Sequence, residues 1–223
     1  MKAAIISDIH GNSIALEVIL KDIRQQKVDQ IYCLGDLVNY YPDCNEVISL
    51  LEKHDVNSIQ GNHDLMAVSS RNVEKEKARV YQLDETRTNL MGVNNKYLAG
   101  LPKSILSRFG PAKVLMVHGS PLDELEGYIY PDTDLNKFES LDYDFVFCGH
   151  THRAMIRKVG QLTFANPGSV GMPRDIGNMA SYILFDSETL SCRIRRVLLP
   201  LEKIKSKYGD MVHPSVIKLL DRK

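Results

Sequence analysis

The sequence predicts an α/β fold in which two β-sheets pack together and helices lie outside them. Two observations support this prediction: short apolar runs alternate with segments of helical period, and turn-punctuated segments of alternating polarity follow residue 155. The 223 residues are 43% hydrophobic and 25% charged, which is typical of one globular domain with a sizeable core. We therefore expect a single domain over residues 1–223.

Four apolar runs rich in Val, Ile and aromatic residues predict strands that are buried on both faces. These runs are 3–6, 31–34, 114–117 and 144–148. Apolar side chains recur with helical spacing in 16–23 and 47–51, so helices are expected between the strands.

The last third of the chain predicts antiparallel hairpins, formed by the segments 155–159, 162–165, 181–185 and 191–198. We expect these hairpins to supply the second sheet. The polar stretch 71–101 has helical character and is the best candidate for an insertion that covers a substrate.

Composition argues against several classes of partner. The 28 Lys and Arg residues balance the 28 Asp and Glu residues, so no overall field attracts nucleic acid or an anionic membrane. No apolar stretch is long enough to span a bilayer or to form a signal peptide. Cys33, Cys44, Cys148 and Cys192 lack CxxC spacing and are expected to be buried in a reducing compartment. We expect a cytoplasmic protein; a homo-oligomer is left open.

Polar residues of metal-ligand type follow each predicted strand. They lie in the segments 7–12, 35–36, 59–64, 118–120 and 149–152. Five of the seven histidines are among them: His10, His63, His118, His150 and His152. A structural role would explain any one histidine alone, but strand ends in an open α/β sheet converge on one crevice. We therefore expect these carboxylates and imidazoles to meet there.

The mixture of imidazole nitrogen and carboxylate oxygen, without thiolate, suits manganese, iron or zinc better than calcium. The number of candidate ligands exceeds that of one tetrahedral zinc site, which favours a pair of ions. Asp36 is the candidate that would bridge them.

Five motifs together resemble the calcineurin-like metallophosphoesterase family. They are Asp8-x-His10, Gly35-Asp36, Gly61-Asn62-His63-Asp64, His118-Gly119 and Gly149-His150-x-His152. The segment 166–175 further resembles the branch of small bacterial and archaeal phosphodiesterases. The resemblance covers nearly the whole chain and implies a four-layer α-β-β-α sandwich of two mixed sheets flanked by helices.

The resemblance also implies a set of site residues. One divalent metal would be held by Asp8, His10, Asp36 and His152, and a second by Asp36, Asn62, His118 and His150. Manganese is the first choice for both, with iron, zinc or nickel as alternatives. His63 looks like the group that protonates the leaving oxygen or stabilises the transition state, and Asp64 would orient it.

The activity implied is hydrolysis of a phosphate ester by a hydroxide that bridges the two metals, with a small phosphorylated or nucleotide substrate. Asn12 or Ser13 would cap the following helix, whose N-terminus would add positive potential near the phosphate, and Asn12 is a candidate for substrate binding. Arg174 is the best candidate for a phosphate contact, and a salt bridge with Asp175 is the alternative.

Two other functions remain open. A nuclease of the same superfamily would need a basic groove, and a metal-binding scaffold protein would keep the fold with little catalysis. The sequence 39–41, Asn-Tyr-Tyr, departs from the arginine of the protein-phosphatase branch and from the glycines usual in the small-phosphodiesterase branch. Four tyrosines could stack on a nucleobase, although core packing is the more common role: Tyr40, Tyr41, Tyr128 and Tyr130.

Overall fold

Two five-stranded mixed sheets pack face to face, as expected. The computed structural model describes residues 1–222, so Lys223, the last residue of the predicted domain, lies outside the described part. In chain order the strands are β1 (Lys2–Ile6), β2 (Gln30–Cys33), β3 (Asn57–Ser58), β4 (Ser104–Phe109), β5 (Ala112–Val117), β6 (Phe145–Phe147), β7 (Met155–Val159), β8 (Leu162–Asn166), β9 (Met179–Asp186) and β10 (Ser191–Leu198). The helices are α1 (Ser13–Gln25), α2 (Cys44–Lys53), α3 (Asn62–Val68), α4 (Lys75–Tyr81), α5 (Leu83–Asn89), α6 (Gly92–Gly100), α7 (Leu201–Tyr208) and α8 (Pro214–Leu219), with a 3-10 helix at Asn136–Phe138.

The first sheet has the strand order β10-β9-β1-β2-β3, and the second has the order β4-β5-β6-β8-β7. Strands β1, β2 and β3 run parallel to one another in the first sheet. Strands β5, β6 and β8 do so in the second. Because parallel strands end at the same edge of a sheet, each sheet has one edge at which several loops begin.

One expectation about the second sheet is wrong. The hairpin β9–β10 joins the first sheet, where β9 pairs antiparallel with β1, and the second sheet takes β5 and β6 from the middle of the chain. The alternation of polar and apolar residues determines which faces of a strand are buried. It does not determine which strand becomes the neighbour.

Three apolar layers hold the sheets and helices together. Ile5 and Phe185 of the first sheet pack against Met116 and Phe147 of the second. Helices α1, α2, α7 and α8 cover the outer face of the first sheet. The outer face of the second sheet is covered by irregular chain and the 3-10 helix, whose Phe138 is buried there.

The stretch 71–101 contains three short helices, α4, α5 and α6, in agreement with its predicted helical character. Helix α4 buries none of its residues, whereas α6 buries Asn94 and Leu98. Asn45 of α2 accepts hydrogen bonds from the backbone N–H of Met91 (3.0 Å) and from the Asn94 amide (2.8 Å), which fixes the start of α6. The stretch is therefore anchored through α6 and most exposed at α4.

The expectation that the four cysteines are buried is met at three of them. Among the described residues all four are free; Cys33, Cys44 and Cys148 are buried, whereas Cys192 is half-buried. Within residues 1–222, none of the helices has the length and apolar character that crossing a bilayer requires.

Candidate metal centre

Seven side chains meet where the parallel strands of both sheets end. They are Asp8 and His10 after β1, Asp36 after β2, Asn62 at the start of α3, His118 after β5, and His150 and His152 after β6. The predicted convergence therefore takes place, but between the edges of two stacked sheets rather than along one.

A first group consists of Asp8, His10, Asp36 and His152, whose potential ligand atoms all lie within 4.8 Å of one another. His10 Nε2 is 3.1 Å from His152 Nε2. His152 Nε2 is 3.2 Å from Asp8 Oδ1, and His10 Nε2 is 3.6 Å from Asp36 Oδ2. Four potential metal-ligand atoms thus surround one point.

A second group consists of Asp36, His118 and His150, within the same 4.8 Å limit. His118 Nε2 lies 3.3 Å from Asp36 Oδ2 and 3.1 Å from His150 Nδ1. The amide oxygen of Asn62 lies 3.0 Å from His118 Nε2 and completes a second set of four. Asp36 belongs to both groups, as predicted for a bridging carboxylate.

The hydrogen bonds of the histidines leave one ring nitrogen of each directed at these points. The Nδ1 atoms of His10, His118 and His152 lie 3.2, 2.7 and 2.7 Å from the backbone carbonyls of Val38, Leu34 and Met172, respectively. Since a carbonyl only accepts, each Nδ1 carries a proton, and each Nε2 presents a lone pair when its ring is neutral. Two such lone pairs, on His10 and His152, face each other at 3.1 Å, an arrangement that a cation between them stabilises.

Two carboxylate oxygens without hydrogen-bond partners also indicate that the site fits a cation. Asp8 Oδ1 and Asp36 Oδ2 are buried and have no hydrogen-bond partner among the described residues. A buried anionic oxygen without a partner is strongly unfavourable in a protein interior. The residues present therefore fit a pair of divalent cations.

The ionisation of the imidazoles also suits cation binding. Burial lowers the pKa of His10 to about 3 and that of His150 to about 3, so both rings are neutral at neutral pH. Burial alone would lower the pKa of His118, but the adjacent Asp36 carboxylate raises it to about 9. Burial raises the pKa of the Asp8 carboxyl to about 7. Cation binding favours the deprotonated form of each ligand and would displace these protons.

Five of the ligand residues have a left-handed backbone conformation. The φ values are 56° for Asp8, 52° for His10, 56° for Asp36, 65° for His150 and 57° for His152. This region is uncommon for residues other than glycine, and each instance costs about 1–3 kcal/mol. Such strain persists only where surrounding contacts hold the chain, so those contacts are part of the site.

The carboxylate of Asp64 supplies one set of these contacts. It accepts hydrogen bonds from the backbone N–H groups of Asp36 (2.8 Å), Leu37 (2.8 Å), Val38 (3.3 Å) and Gly61 (2.9 Å). Three of these hydrogen bonds therefore go to the loop that carries Asp36 and one to Gly61 before α3, and none goes to His63, which Asp64 was expected to orient. A catalytic role for Asp64 stays a prediction, and the structure gives it a supporting one.

The segment 166–171 supplies a second set. The Ser169 hydroxyl donates to the Asp8 carbonyl at 2.7 Å, and the Asn166 amide donates to the Gly149 carbonyl at 2.6 Å. At Gly171 a Cβ atom would lie 1.8 Å from the Ile9 carbonyl oxygen, so only glycine fits there. This segment thus ties the loop after β1 to the loop after β6.

His63 is oriented by Asn39, a residue that the sequence reasoning missed. The Asn39 Nδ2 atom donates to the His63 carbonyl at 3.1 Å and lies 3.2 Å from the ring Nδ1. Because this amide nitrogen is the donor, Nδ1 accepts and the ring proton of His63 lies on Nε2. Burial lowers the pKa of His63 to about 4. Its residue type is the one feature of the sequence that could have indicated Asn39, because asparagine tolerates a left-handed backbone, and its φ here is 71°.

Arg174 lies beside the ligand groups, and its backbone N–H donates to the His152 carbonyl at 3.1 Å. Asp175, its alternative partner, binds the Arg196 guanidinium at 2.7 Å, so the salt bridge considered from the sequence is wrong. The Arg174 guanidinium makes no hydrogen bond or ion pair within residues 1–222. Its charge nevertheless contributes to lowering the pKa of His152, after the larger effect of burial. A half-buried, unpaired cation at this position is available to an anionic ligand.

Asn12 is buried, and both ends of its side chain are occupied. Its Oδ1 accepts from the Ala15 N–H at 3.1 Å, which caps α1 as predicted, and its Nδ2 donates to the Gly171 carbonyl at 3.1 Å. A direct substrate contact by Asn12 would require one of these bonds to break.

A cavity of about 330 Å³ opens beside Asn62 and His150. One wall is formed by residues of the 71–81 segment, including Tyr81, and the other by Glu126 and Tyr128. Arg71 and Glu126 form an ion pair between the two walls. The cavity thus joins the second ligand group to the helical stretch.

Comparisons with known proteins agree with the geometry. Residues 1–190 match the model of the calcineurin-like phosphoesterase superfamily domain. A protein of Methanocaldococcus jannaschii without an assigned function is 32% identical over 222 residues, which cover 92% of this chain and 90% of that protein. The phosphodiesterase YfcE of Escherichia coli K12 is 25% identical over 191 residues, 86% of this chain and 90% of its own length.

Solved structures have the same architecture over almost the whole chain. A metallophosphoesterase from Sphaerobacter thermophilus has a TM-score of 0.81 at 28% identity and covers 99% of this chain and 98% of its own. A hypothetical protein from Pyrococcus horikoshii has a TM-score of 0.88 at 23% identity, with coverage of 98% and 97%, and supports the fold alone. These matches include both sheets and the 71–101 stretch.

Proposed function

Because this chain belongs to the calcineurin-like phosphoesterase superfamily and is a metallophosphoesterase, we propose that it hydrolyses a small, nucleotide-like phosphomonoester or phosphodiester at two divalent cations. The observation that carries this proposal is the position of Asp36, whose carboxylate is shared by two sets of buried donor atoms. A single ion would leave one of these sets unsatisfied.

Each cation has four proposed ligands. Asp8, His10, Asp36 and His152 hold the first, and Asp36, Asn62, His118 and His150 hold the second. Two cations bound here would activate a water molecule as the nucleophile and offset the charge on the phosphate oxygens. The donor set favours manganese, with iron, zinc or nickel as alternatives.

Residues of this chain would perform the remaining steps. His63 donates an Nε2–H hydrogen bond that stabilises the charge developing on the leaving oxygen, because its lowered pKa keeps the ring neutral, and Asn39 keeps that proton on Nε2. The unpaired guanidinium of Arg174 binds phosphate oxygens, for which its planar fork of donors is suited.

Removing divalent metal is expected to abolish hydrolysis of bis-p-nitrophenyl phosphate, because the nucleophile then has no activated form. The assay compares the protein in manganese, after treatment with a chelator and gel filtration, and after manganese is restored. The proposal would be contradicted if the protein still hydrolysed the substrate when metal analysis shows that it contains no metal. Persistent inactivity with both cations bound would favour the scaffold alternative.

Replacing Arg174 with alanine is expected to lower kcat/KM about 10- to 100-fold, since a hydrogen bond to a charged group contributes about 1.5–3 kcal/mol. The kcat/KM of Arg174→Lys should lie between those of the wild type and Arg174→Ala, because lysine keeps the positive charge but lacks the planar fork of donors. The matched control is Arg108→Ala on the exposed face of β4. Equal kinetics for Arg174→Ala and the control would remove Arg174 from the binding site.

The dimensions of the cavity support a small substrate. About 330 Å³ lies within the usual range for small-molecule pockets, and its wall from the 71–81 segment supports assigning the 71–101 stretch as the substrate-covering part of a single domain. The equal numbers of acidic and basic residues do not favour nucleic acid. The four free cysteines favour a reducing compartment, and we propose the cytoplasm.

A further inference from the structure

Tyr128 and Tyr130 form an exposed aromatic pair next to the cavity. Their rings are nearly parallel, at 3°, with centroids 5.5 Å apart. Tyr128 is 49% exposed and Tyr130 is 39% exposed, whereas Ile129 between them is 1% exposed. Because Ile129 is buried between two exposed tyrosines, both phenol rings face outward. Core packing, the usual role of such residues, does not apply to this pair.

The pair is close to the reacting centre and firmly held. The Tyr128 ring centroid is 4.0 Å from that of His150, and Tyr128 lines the same cavity as Asn62. The backbone of Tyr130 is fixed by Thr133, whose hydroxyl accepts from the Tyr130 N–H at 2.8 Å and whose N–H donates to the Tyr130 carbonyl at 3.0 Å. A rigid aromatic surface thus begins at a metal-ligand histidine and extends to solvent.

We propose that Tyr128 and Tyr130 form a binding surface for the nucleobase of a nucleotide substrate. This proposal rests on the proposed function, because the phosphate must lie at the ligand groups for the attached base to reach the tyrosines. Aromatic side chains bind bases by stacking, which tolerates any base because every base has a π-face. The substrate class is therefore a phosphate ester of a nucleoside, with its planar group on Tyr130 and its phosphate beside His150.

The test compares the affinities of ligands that share a phosphate and differ in the group attached to it. Isothermal titration calorimetry would be done with manganese present on the His63→Gln protein, so that turnover does not consume the ligand. The ligands are adenosine 5′-monophosphate, ribose 5-phosphate and phenyl phosphate. The same titrations are done after one further substitution in the His63→Gln protein: Tyr130→Leu, Tyr130→Gln or Tyr130→Phe. Tyr143→Leu, outside the cavity, is the control.

We expect adenosine 5′-monophosphate to bind about tenfold more tightly than ribose 5-phosphate, a difference within the range of base–aromatic stacking. Tyr130→Leu and Tyr130→Gln should remove that difference, while Tyr130→Phe and Tyr143→Leu should keep it. The proposal is overturned if the leucine and glutamine variants still prefer the nucleotide, or if the starting protein has no such preference.

The phenyl phosphate titration distinguishes a surface for a nucleobase from a surface that binds any aromatic group attached to a phosphate. Phenyl phosphate that binds as tightly as the nucleotide would overturn the assignment to a nucleobase. Because these affinities are measured without turnover, they are judged separately from the proposed function. That function is refuted by the absence of hydrolysis in the metal-loaded wild-type protein.

Discussion

Replacing Asp36 with asparagine is expected to weaken binding of both metal ions by more than about 100-fold and to reduce hydrolysis at least as much. Asp36 Oδ2 contacts both ligand groups, and changes to residues that merely support metal ligands already cost about 10- to 100-fold in affinity. An asparagine has one neutral oxygen where the carboxylate offers two charged ones. Metal content after dialysis and kcat/KM at limiting manganese measure the two effects.

The Asp36→Asn protein should still fold. Asp36 Oδ1 accepts the His63 backbone N–H at 2.8 Å, which an amide oxygen can also do, and asparagine tolerates a φ of 56°. Asp142→Asn, at an exposed position, is the control for loss of one carboxylate. Manganese should raise the melting temperature of the wild type and the control but not that of Asp36→Asn, because only a bound ligand stabilises the native state. A variant that keeps two metals would contradict the bridging role.

Replacing His63 with glutamine is expected to leave both metals bound and to reduce kcat about 10²- to 10³-fold, the usual cost of removing one hydrogen-bond donor from a developing oxyanion. His63 belongs to neither ligand group, and its ring Nδ1 is occupied by Asn39. The remaining Nε2 proton is the one available to the leaving oxygen. Metal analysis and steady-state kinetics on the same sample separate loss of metal from loss of catalysis.

The leaving group gives a second readout for His63. A p-nitrophenolate spreads its charge over the ring, whereas an alkoxide keeps it on the oxygen, so His63→Gln should slow an alkyl ester more than a p-nitrophenyl ester. His54→Gln, at the end of α2, is the control for loss of an imidazole outside the site. Equal slowing of the two esters would assign His63 to positioning rather than to stabilisation of the leaving oxygen.

The sequence predicted which side chains converge, because most of their positions follow from local features. Six of the seven follow a recognisable apolar strand, whereas Asn62 follows the short polar strand β3, and parallel strands bring their ends to one edge. The allocation of strands to sheets was not predictable in the same way. The polarity of β9 indicates that it is buried, but its pairing with β1 depends on contacts between residues about 180 positions apart.

The supporting residues were the hardest to predict, since their roles depend on distant backbone. Asp64 is adjacent to His63 in sequence, yet its carboxylate binds the loop that carries Asp36. Asp175 is adjacent to Arg174, yet it pairs with Arg196 across the fold. Adjacent side chains point in different directions, both in helix α3, which contains His63 and Asp64, and in the irregular chain at 174–175, so adjacency in sequence is a poor guide to contact between side chains.

The ligand residues come from both sheets, and this has a consequence for the survival of the protein in a cell. Two cations bound as proposed would also hold together loops that start at position 8 and end at position 152. We expect the strained loops at this end of the sandwich to open more readily when metal is scarce, which would expose their backbone to proteases. The supply of metal would then govern how long each molecule lasts as well as how fast it works.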